Sequence, residues 1–322
     1  MNHQHHKNLR NTFTDSFPLS PEIEPHLRAA LDRVLTNPGS LIRPQIVASM
    51  FAAYNLPSTH ATQLGIALEY FHTSSLLFDD LPCMDDATER RGQPCIHAEF
   101  GEASAILTAL ALVNRAYALT FRAVLGCNPA RPSQALDYIE HHLGVGGLLN
   151  GQSMDLNFAS TLLNSSQRRS DHQVTEAIAI GKTVALIRLT LVLPGILGGA
   201  SPEELQLLDR VALCWGLTYQ IVDDLKDVSQ SSEQSGKTHS RDVSMGRPNI
   251  ALAIGVPAAV HRLQRLIAMG DRMLQRLVLR RPGVAFLQDL RVQLNAEATD
   301  IIDNACNRPA PHARPHSLQG AA

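Results

Sequence analysis

The stretch Asp79-Asp80-Leu81-Pro82-Cys83-Met84-Asp85-Asp86 places four carboxylates within eight residues, directly after the apolar run from Leu64 to Phe78. Acidic groups at the end of an apolar helix are costly to desolvate unless a cation neutralises them. Mg²⁺ binds through one or two carboxylates and keeps positions for water and phosphate. The nearby Arg90 and Arg91 are suited to gripping phosphate oxygens. The stretch therefore predicts half of a magnesium-diphosphate site, although a solvated acidic turn that caps a helix would have the same sequence.

A second acidic cluster lies at Tyr219-Gln220-Ile221-Val222-Asp223-Asp224-Leu225-Lys226-Asp227. Asp223 and Asp227 are four residues apart, so both project from one face of a helix. Like charges one turn apart repel each other unless a cation lies between them. A single cluster of this kind is common on protein surfaces. Two clusters that each end a long apolar helix favour a shared cation site.

The composition favours helices. Hydrophobic residues make up 44% of the 322 residues and aromatic residues only 5%, and Leu and Ala dominate. Because the sequence shows no repeat, no alternating strand pattern and no Pro/Gly linker, we expect one all-α domain over residues 21–306. Residues 1–20 are polar, and residues 307–322 contain Pro, His and Gly, so both ends are expected to be disordered.

Charge and cysteine content limit the partners and the compartment. The formal net charge of −2 gives no electrostatic reason to expect nucleic-acid binding. Five cysteines without metal-type spacing predict a reduced, cytoplasmic chain, and the N-terminus lacks the apolar core of a signal peptide. No apolar segment reaches ~18 uncharged residues, so no membrane span is expected. The segment Thr183 to Ala200 comes closest, but Arg188 and Pro194 interrupt it.

Local signals predict where several helices begin and end. Ser201-Pro202-Glu203-Glu204 combines a serine N-cap, a proline at the first position and a capping-box glutamate. Pro82 should prevent the long apolar helix from passing through the first acidic cluster. The polar residues 227–246 predict a lid loop. The last two helices are predicted at Asn249–Met269 and Asp271–Asn304.

These motifs together resemble the trans-isoprenyl diphosphate synthases, the polyprenyl synthetases that make geranyl, farnesyl and geranylgeranyl diphosphates. The resemblance covers about residues 20–300. It rests on Asp79 to Gly92, Phe100 to Leu107, Gly151 to Leu156, Lys182-Thr183, and Tyr219 to Asp227. It implies an isoprenoid synthase-type bundle of antiparallel helices around a deep central cavity, with both acidic motifs at the cavity mouth. It also implies a homodimer.

The resemblance implies a head-to-tail condensation that begins by ionising an allylic diphosphate, with three Mg²⁺ ions stabilising the leaving group. The metal ligands that it implies are Asp79, Asp85, Asp223 and Asp227. The catalytic residues that it implies also include Asp80, Asp224 and Lys182. The residues that it implies for binding the allylic substrate are Arg90, Lys182, Thr183, Gln220 and Lys237. A lysine in a Ser-rich loop, such as Lys237, is also compatible with plain surface.

The family binds its second substrate, isopentenyl diphosphate, with a Gly-Gly-Lys-Arg-x-Arg-Pro segment, a histidine and the second arginine of an Arg-Arg-Gly sequence. Here the segment reads Pro38-Gly39-Ser40-Leu41-Ile42-Arg43-Pro44, so Ser40 and Leu41 replace a lysine and an arginine. Each lost charge-assisted contact would cost ~1.5–3 kcal/mol. The matching residues that remain are Arg43, His72 and Arg91. A lone helical histidine such as His72 is also compatible with a core position.

Two other functions are compatible with the sequence. A class I terpene synthase would ionise the allylic diphosphate through the intact acidic clusters and would not need isopentenyl diphosphate, which the change at Ser40 and Leu41 favours. A non-catalytic partner subunit would tune another synthase. Such a subunit would not need both acidic clusters together with Arg90.

The product length is predicted from two serines. In the family, the residues four and five positions before the first aspartate form the floor under the growing tail, and here they are Ser75 and Ser74. Small side chains leave that space open. The expected product lies in the farnesyl to geranylgeranyl range, with C20 favoured, and Ser74→Phe should shorten it.

Overall fold

Helices form nearly all of the regular structure that the computed structural model describes, which covers residues 3–127, 131–158, 171–229 and 247–306. The N-terminal helices are α1 (His3–Asp15), α2 (Pro25–Thr36), α3 (Ile42–Ala53), α4 (Ser58–Asp79), α5 (Ile96–Phe100) and α6 (Glu102–Cys127). A two-residue hairpin, β1 (Glu89–Arg90) and β2 (Gln93–Pro94), lies between α4 and α5. The later helices are α7 (Pro132–Leu143), α8 (Leu148–Leu156), α9 (Asp171–Ala179), a π-helical turn (Ile180–Val184), α10 (Ala185–Leu197), α11 (Pro202–Ser229), α12 (Ile250–Ile254), α13 (Val256–Arg280), a 3₁₀ turn (Pro282–Val284) and α14 (Phe286–Cys306).

Two long helix pairs carry the apolar core. Helix α4 packs along α6, and α11 packs along α13, while α10 contacts α3, α7 and α11. The larger group of buried side chains includes Leu64, Leu112 and Leu189, and a second group lies around Ile221 and Leu263. Helices that are apolar on most faces, as α4 and α10 are, bury most of their surface in such a bundle. The predicted all-α fold class is confirmed.

The N-terminus differs from the prediction. Residues 1–20 were expected to be disordered because they are polar, yet α1 begins at His3 and ends at Asp15. The side chain of Phe13 is fully buried, and its ring lies edge-on to Tyr70 of α4 at 4.8 Å. The Tyr70 hydroxyl donates to the Phe13 carbonyl, and Thr14 Oγ1 donates to the Leu35 carbonyl at 3.0 Å. One buried aromatic anchors a segment whose average composition is polar.

The helix boundaries follow the local signals in part. Helix α4 ends at Asp79, as Pro82 predicts. The Ser201 capping box forms at the start of α11, because Ser201 Oγ accepts from the Glu204 amide and Glu204 Oε2 accepts from the Ser201 amide. The predicted break between the last two helices near Gly270 is wrong. Gly270 lies inside α13, where a Cβ would be 3.1 Å from Cys214 of α11. Its lack of a side chain therefore permits close helix packing.

Within the part of the chain that the structure describes, two helical segments are long and apolar enough to cross a membrane by length and composition, Glu102–Cys127 and Asp171–Leu197. Core helices of soluble proteins pass the same test, so this is weak evidence for a span. In the second segment 61% of the residues in the apolar window are buried inside the protein, as expected for a core helix. In the first segment only 39% are buried, so much of α6 is left uncovered.

Candidate active site

The first acidic cluster forms a loop that folds back onto the end of α4. The Asp85 amide donates to the Asp79 carbonyl at 2.9 Å, and the Ala87 amide donates to the Asp80 carbonyl at 3.2 Å. Asp86 adopts a left-handed backbone with φ 47°, a conformation that Asp tolerates better than most residues. The loop thereby places Asp85 beside Asp79.

Carboxylates from both clusters line one cavity of ≈ 220 Å³. Asp85 comes from the loop after α4, whereas Asp223 and Asp227 come from the last turns of α11. Asp155 of α8 and Lys182 of the π-helical turn complete the polar wall, and Ile178 and Ala179 of α9 supply an apolar one. Residues that are distant in the sequence thus converge on a single concave site.

Lys182 joins Asp79 to Asp155. Its Nζ lies 2.8 Å from Asp155 Oδ2 and 4.0 Å from Asp79 Oδ2. Burial raises the pKa of Asp79 to about 6, with a further rise from the Asp85 and Asp155 charges and an opposing effect from Lys182. Burial alone would lower the pKa of Lys182, but the Asp79 and Asp155 carboxylates outweigh burial and raise it. The site therefore holds a charged ammonium among carboxylates that need further positive charge.

The position of Lys182 depends on two glycines. The π-helical turn Ile180–Val184 interrupts α9 and α10, and π-turns often mark functional sites. A Cβ on Gly151 would lie 2.5 Å from the Lys182 amide nitrogen, and a Cβ on Gly181 would lie 2.7 Å from the Gly151 Cα. Helix α8 and the π-turn therefore touch backbone to backbone, which brings Asp155 within hydrogen-bond distance of Lys182.

Arg247 also lines the cavity, where it contacts two of the aspartates. Its Nη2 lies 2.7 Å from Asp85 Oδ1 and donates to the Met84 carbonyl at 3.0 Å. Its buried Nη1 makes no hydrogen bond to a described residue and lies 3.6 Å from Asp155 Oδ2. Asp155 is thus shared by two cations, Lys182 and Arg247.

The second aspartate of each Asp-Asp pair, Asp80 or Asp224, is held in a buried hydrogen-bond network, and Asp224 also lines the cavity. The two carboxylate oxygens of Asp80 accept from Arg90 Nε at 2.7 and 2.9 Å. Burial alone would lower the pKa of Arg90, but the contact with Asp80 outweighs burial and raises it. Asp224 accepts from Gln220 Nε2 at 2.8 Å and from the Ile250 amide at 2.7 Å. Both aspartates are therefore placed to position neighbouring groups.

Two of the residues predicted to bind the allylic substrate are linked to that network. Thr183 Oγ1 donates to Gln220 Oε1 at 2.9 Å, and Gln220 lines the cavity. Lys237, a third, lies outside the described residues, as does most of the predicted lid at residues 227–246.

A second, smaller cavity of ≈ 60 Å³ lies between α2, the end of α4 and the β1–β2 hairpin. Its polar lining includes Arg33, Asn37, Thr73, Asp80, Arg90, Arg91 and Gln93. Arg91 Nη1 donates to the Asn37 carbonyl at 3.3 Å. Arg90, which the resemblance assigns to the allylic diphosphate, lines this cavity rather than the first one.

Two further predicted residues lie near the second cavity. Arg43 Nη1 is 3.4 Å from Glu69 Oε2 of α4, whose side chain is almost fully buried. Burial and the charges of Arg43, Arg91 and Arg90 lower the pKa of His72 to about 2. His72 is therefore neutral at physiological pH and surrounded by guanidinium groups.

Comparison with known proteins identifies the family. The profile described as Polyprenyl synthetase matches residues 24–273. The chain belongs to the polyprenyl synthetase family. The predicted resemblance is thereby confirmed, and with it the expectation of an isoprenoid synthase-type bundle.

Similar proteins fit the same family. Geranylgeranyl pyrophosphate synthase 10, mitochondrial, from Arabidopsis thaliana is 34% identical and covers 81% of this chain, which spans 74% of that relative. Geranylgeranyl pyrophosphate synthase 6, mitochondrial, also from Arabidopsis thaliana, is 32% identical, with coverages of 84% and 82%. The crystal structure of geranyltransferase from Helicobacter pylori complexed with magnesium and isoprenyl diphosphate has a TM-score of 0.71 at 27% identity, covering 93% of this chain and 97% of that one.

Among the described residues of this polyprenyl synthetase, no group of three or more His, Cys, Asp or Glu side chains is arranged to hold a metal ion alone. The donor set nevertheless fits Mg²⁺, because the cavity offers carboxylate oxygens and Mg²⁺ takes only one or two of them, completing its shell with water and phosphate.

Three residues of the polyprenyl synthetase site were not assigned a role from the sequence. Asp155 is the acidic residue of the stretch Gly151 to Leu156, and its contact with Lys182 depends on the glycine contact between α8 and the π-turn. Arg247 follows the predicted lid, 162 residues after Asp85. Arg33 lies within α2 and reaches Gln93 of β2, 60 residues away. Such long-range pairs are invisible to motif spacing.

Proposed function

We propose that this chain is a Mg²⁺-dependent trans-prenyltransferase that condenses an allylic diphosphate with isopentenyl diphosphate, head to tail, to a trans-polyprenyl diphosphate. The observation that carries the proposal is the single cavity lined by Asp85, Asp155, Asp223 and Asp227 with Lys182 and Arg247 around it. The family match and the names of the relatives support the same class of reaction, and the named products of the relatives favour C20.

The first cavity is the proposed site for the allylic diphosphate. Asp79, Asp85, Asp223 and Asp227 would hold Mg²⁺, with three ions implied by the family resemblance. When bound, the metal acts as a Lewis acid that stabilises charge on the leaving diphosphate. Lys182 and Arg247 then supply N–H donors to diphosphate oxygens. The remaining donor that we propose, from the family pattern alone, is Lys237.

The second cavity is the proposed site for isopentenyl diphosphate. Arg91 lines it, and Arg43 and His72 lie beside it. Asp80 and Arg90 line the second cavity, and Asp80 directly follows Asp79 at the end of α4, so we expect the two substrates to meet there. Holding both reactants at one helix end converts a bimolecular reaction into an effectively unimolecular one.

The tail of the product is proposed to extend along α4. Ser75 lies one helical turn before Asp79 and Phe71 lies one turn before Ser75, so the three share a face. The Phe71 ring packs edge-on against Tyr117 of α6, with centroids 4.9 Å apart. Ser74 is buried on the adjoining face and donates to the Phe71 carbonyl at 2.8 Å. We expect the small serines to leave space for the product tail and the Phe71–Tyr117 pair to limit that space one turn farther along α4.

A homodimer is proposed to cover the apolar face of α6. The exposed large side chains along this helix are Ile106, Leu107, Leu110, Tyr117, Phe121 and Leu125. Leu107, Leu110, Tyr117 and Phe121 recur at helical spacing and form one stripe. An apolar stripe of this length is costly to expose to water, and a second copy of the chain, as the family resemblance implies, would bury it symmetrically.

A cytoplasmic location remains a proposal. Cys83, Cys95, Cys127 and Cys214 are free thiols, which fits a reducing compartment. Both relatives described above carry mitochondrial names, so fractionation of the cells that express the protein is the direct test.

The discriminating assay incubates the purified chain with Mg²⁺ and farnesyl or geranylgeranyl diphosphate, with and without isopentenyl diphosphate, and analyses products by mass spectrometry. A prenyl diphosphate one C5 unit longer, formed only with isopentenyl diphosphate, supports the proposal. Hydrocarbons or alcohols formed without it would instead support the terpene synthase, which the loss of a lysine at Ser40 favours. A chain inactive with every allylic substrate would support the non-catalytic subunit.

A further inference from the structure

The second cavity contains an arginine that the family pattern does not include. The family places a lysine at the position of Ser40, and Ser40 is exposed in the loop that follows α2. Arg33 lies on α2 itself and lines the same cavity as Arg91. Its neighbours Val34 and Leu35 are buried in the core, so the backbone that carries Arg33 is held firmly.

Hydrogen bonds join Arg33 to the segment that carries Arg91. Arg33 Nη1 and Asn37 Nδ2 both donate to Gln93 Oε1, the second at 3.0 Å. Arg91 lies two residues before Gln93 and donates to the carbonyl of Asn37. The guanidinium groups of Arg33 and Arg91 and the amide of Asn37 therefore surround one small space with N–H donors.

The charges around this space leave an excess of positive charge. Arg90 is committed to Asp80, and Arg43 is paired with the buried Glu69. Arg33 Nε lies 3.2 Å from Glu99, whose side chain is 38% exposed, and exposed ion pairs of this kind are weak. Burial, followed by the charges of Arg90 and Arg43, lowers the pKa of Arg91. An anion that enters here would be stabilised by the positive charges of Arg33 and Arg91, whose present partners are neutral oxygens and the exposed Glu99 carboxylate.

We propose that Arg33 makes the cationic contact to isopentenyl diphosphate that a lysine at position 40 makes in the family. The inference rests on the proposed function, because it assigns a residue to the second substrate of that reaction. Arg33 and Arg91 grip the diphosphate from α2 and from the β1–β2 hairpin, with Asn37 between them. In this chain the cationic side chain is thus on helix α2, whereas in the family it is in the loop that follows.

The test measures steady-state kinetics and substrate binding for Arg33→Gln. We expect its KM for isopentenyl diphosphate to rise about 10- to 100-fold, as expected for the loss of charge-assisted contacts, while KM for the allylic diphosphate and the melting temperature stay within twofold and about 2 °C of wild type. Titration calorimetry with isopentenyl diphosphate alone should show the same loss of affinity. The matched control is Arg28→Gln, an exposed arginine on the same helix, which should behave as wild type.

A rescue variant separates a contact from a structural role. Ser40→Lys returns the charge to the family position, so in the Arg33→Gln background it should recover most of the lost affinity for isopentenyl diphosphate. An unchanged KM in Arg33→Gln overturns the inference while leaving the proposed function intact. Equal rises in both KM values without rescue by Ser40→Lys also overturn it. A wild-type chain that does not incorporate isopentenyl diphosphate overturns the proposed function and this inference together.

Discussion

Arg247 Nη2 lies 2.7 Å from Oδ1 of Asp85, an aspartate that the family resemblance assigns to Mg²⁺. The guanidinium also reaches towards Asp155 and is only 11% exposed. A protein cation thus occupies one side of the carboxylate cavity. Metal binding through this oxygen would require Arg247 to release it, and the freed guanidinium would then be available to a diphosphate in the cavity that Arg247 lines. The residue therefore opposes metal binding before substrate arrives and favours substrate afterwards.

This relationship predicts that Arg247→Gln binds divalent metal more tightly in the absence of diphosphate. Loss of a competing charge-assisted contact of ~1.4 kcal/mol corresponds to about a tenfold lower Kd. The measurement is a titration with Mn²⁺ followed by electron paramagnetic resonance. The same variant should bind inorganic diphosphate more weakly in the presence of Mg²⁺. Arg276→Gln, at an exposed position of α13, is the control. Equal Mn²⁺ affinities in all three proteins would refute the competition.

His72 predicts a dependence of stability on pH. Burial and three arginines lower its pKa to about 2 in the folded protein, against about 6.5 in an unfolded chain. As pH falls below about 7, the unfolded state takes up a proton that the folded state does not, so folding stability decreases. Between pH 7.5 and 5.5 this contribution amounts to about 1.4 kcal/mol.

In His72→Gln this contribution is absent. Urea unfolding at the two pH values should therefore show that wild type loses about 1.4 kcal/mol more than the variant. The exposed His261 on α13 provides the matched control, His261→Gln. If His72→Gln and wild type lose the same stability on acidification, His72 is protonated in the folded protein and the neutral assignment is wrong.

The aligned positions Phe71 and Ser75 predict opposite shifts in product length. Ser75→Phe adds an aromatic ring one turn below Asp79 and should shorten the product by at least one C5 unit, as should Ser74→Phe. Phe71→Ala removes one member of the Phe71–Tyr117 pair and should lengthen it. Product distributions are read by mass spectrometry of dephosphorylated alcohols. Ser75→Ala, which adds no bulk, should leave the distribution unchanged, and a shift in that control would count against a steric floor.

The apolar face of α6 predicts the effect of a charge on assembly. Leu110 is 51% exposed in the middle of the stripe, so Leu110→Arg should convert the proposed dimer into monomers. Sedimentation velocity at micromolar concentration measures this directly. Leu279 of α13 is 84% exposed but lies outside the stripe, so Leu279→Arg should leave assembly unchanged. A dimer that survives Leu110→Arg would place the interface elsewhere.

Features that depend on neighbouring residues were predictable from the sequence. The capping box at Ser201 and the end of α4 before Pro82 follow from backbone chemistry that acts within a few residues. The two acidic clusters, each after a long apolar helix, likewise predict carboxylates at one cavity. The all-α fold class follows from composition and from the lack of an alternating pattern.

Features that depend on tertiary packing were not predictable in this way. The polar character of the first 20 residues does not reveal that Phe13 packs against Tyr70, 57 residues away. In the sequence Gly270 resembles a helix break, because its role in close packing against Cys214 of α11 depends on the tertiary structure. In the site, Asp80 binds Arg90 of the hairpin and Asp224 binds the Ile250 amide of α12, so their partners belong to other elements. The spacing of the motifs alone does not reveal which partners Asp80 and Asp224 have.

The contact between Gly151 and Gly181 has a consequence for engineering this enzyme. This contact is made by main-chain atoms alone, so its spacing cannot be changed gradually by exchanging one side chain for a slightly larger one. Any other residue at either position would force α8 and the π-turn apart. The ammonium of Lys182 would then move away from Asp155. Variant libraries aimed at new product lengths should therefore leave both glycines unaltered and vary the proposed length-determining residues Ser74, Ser75 and Phe71.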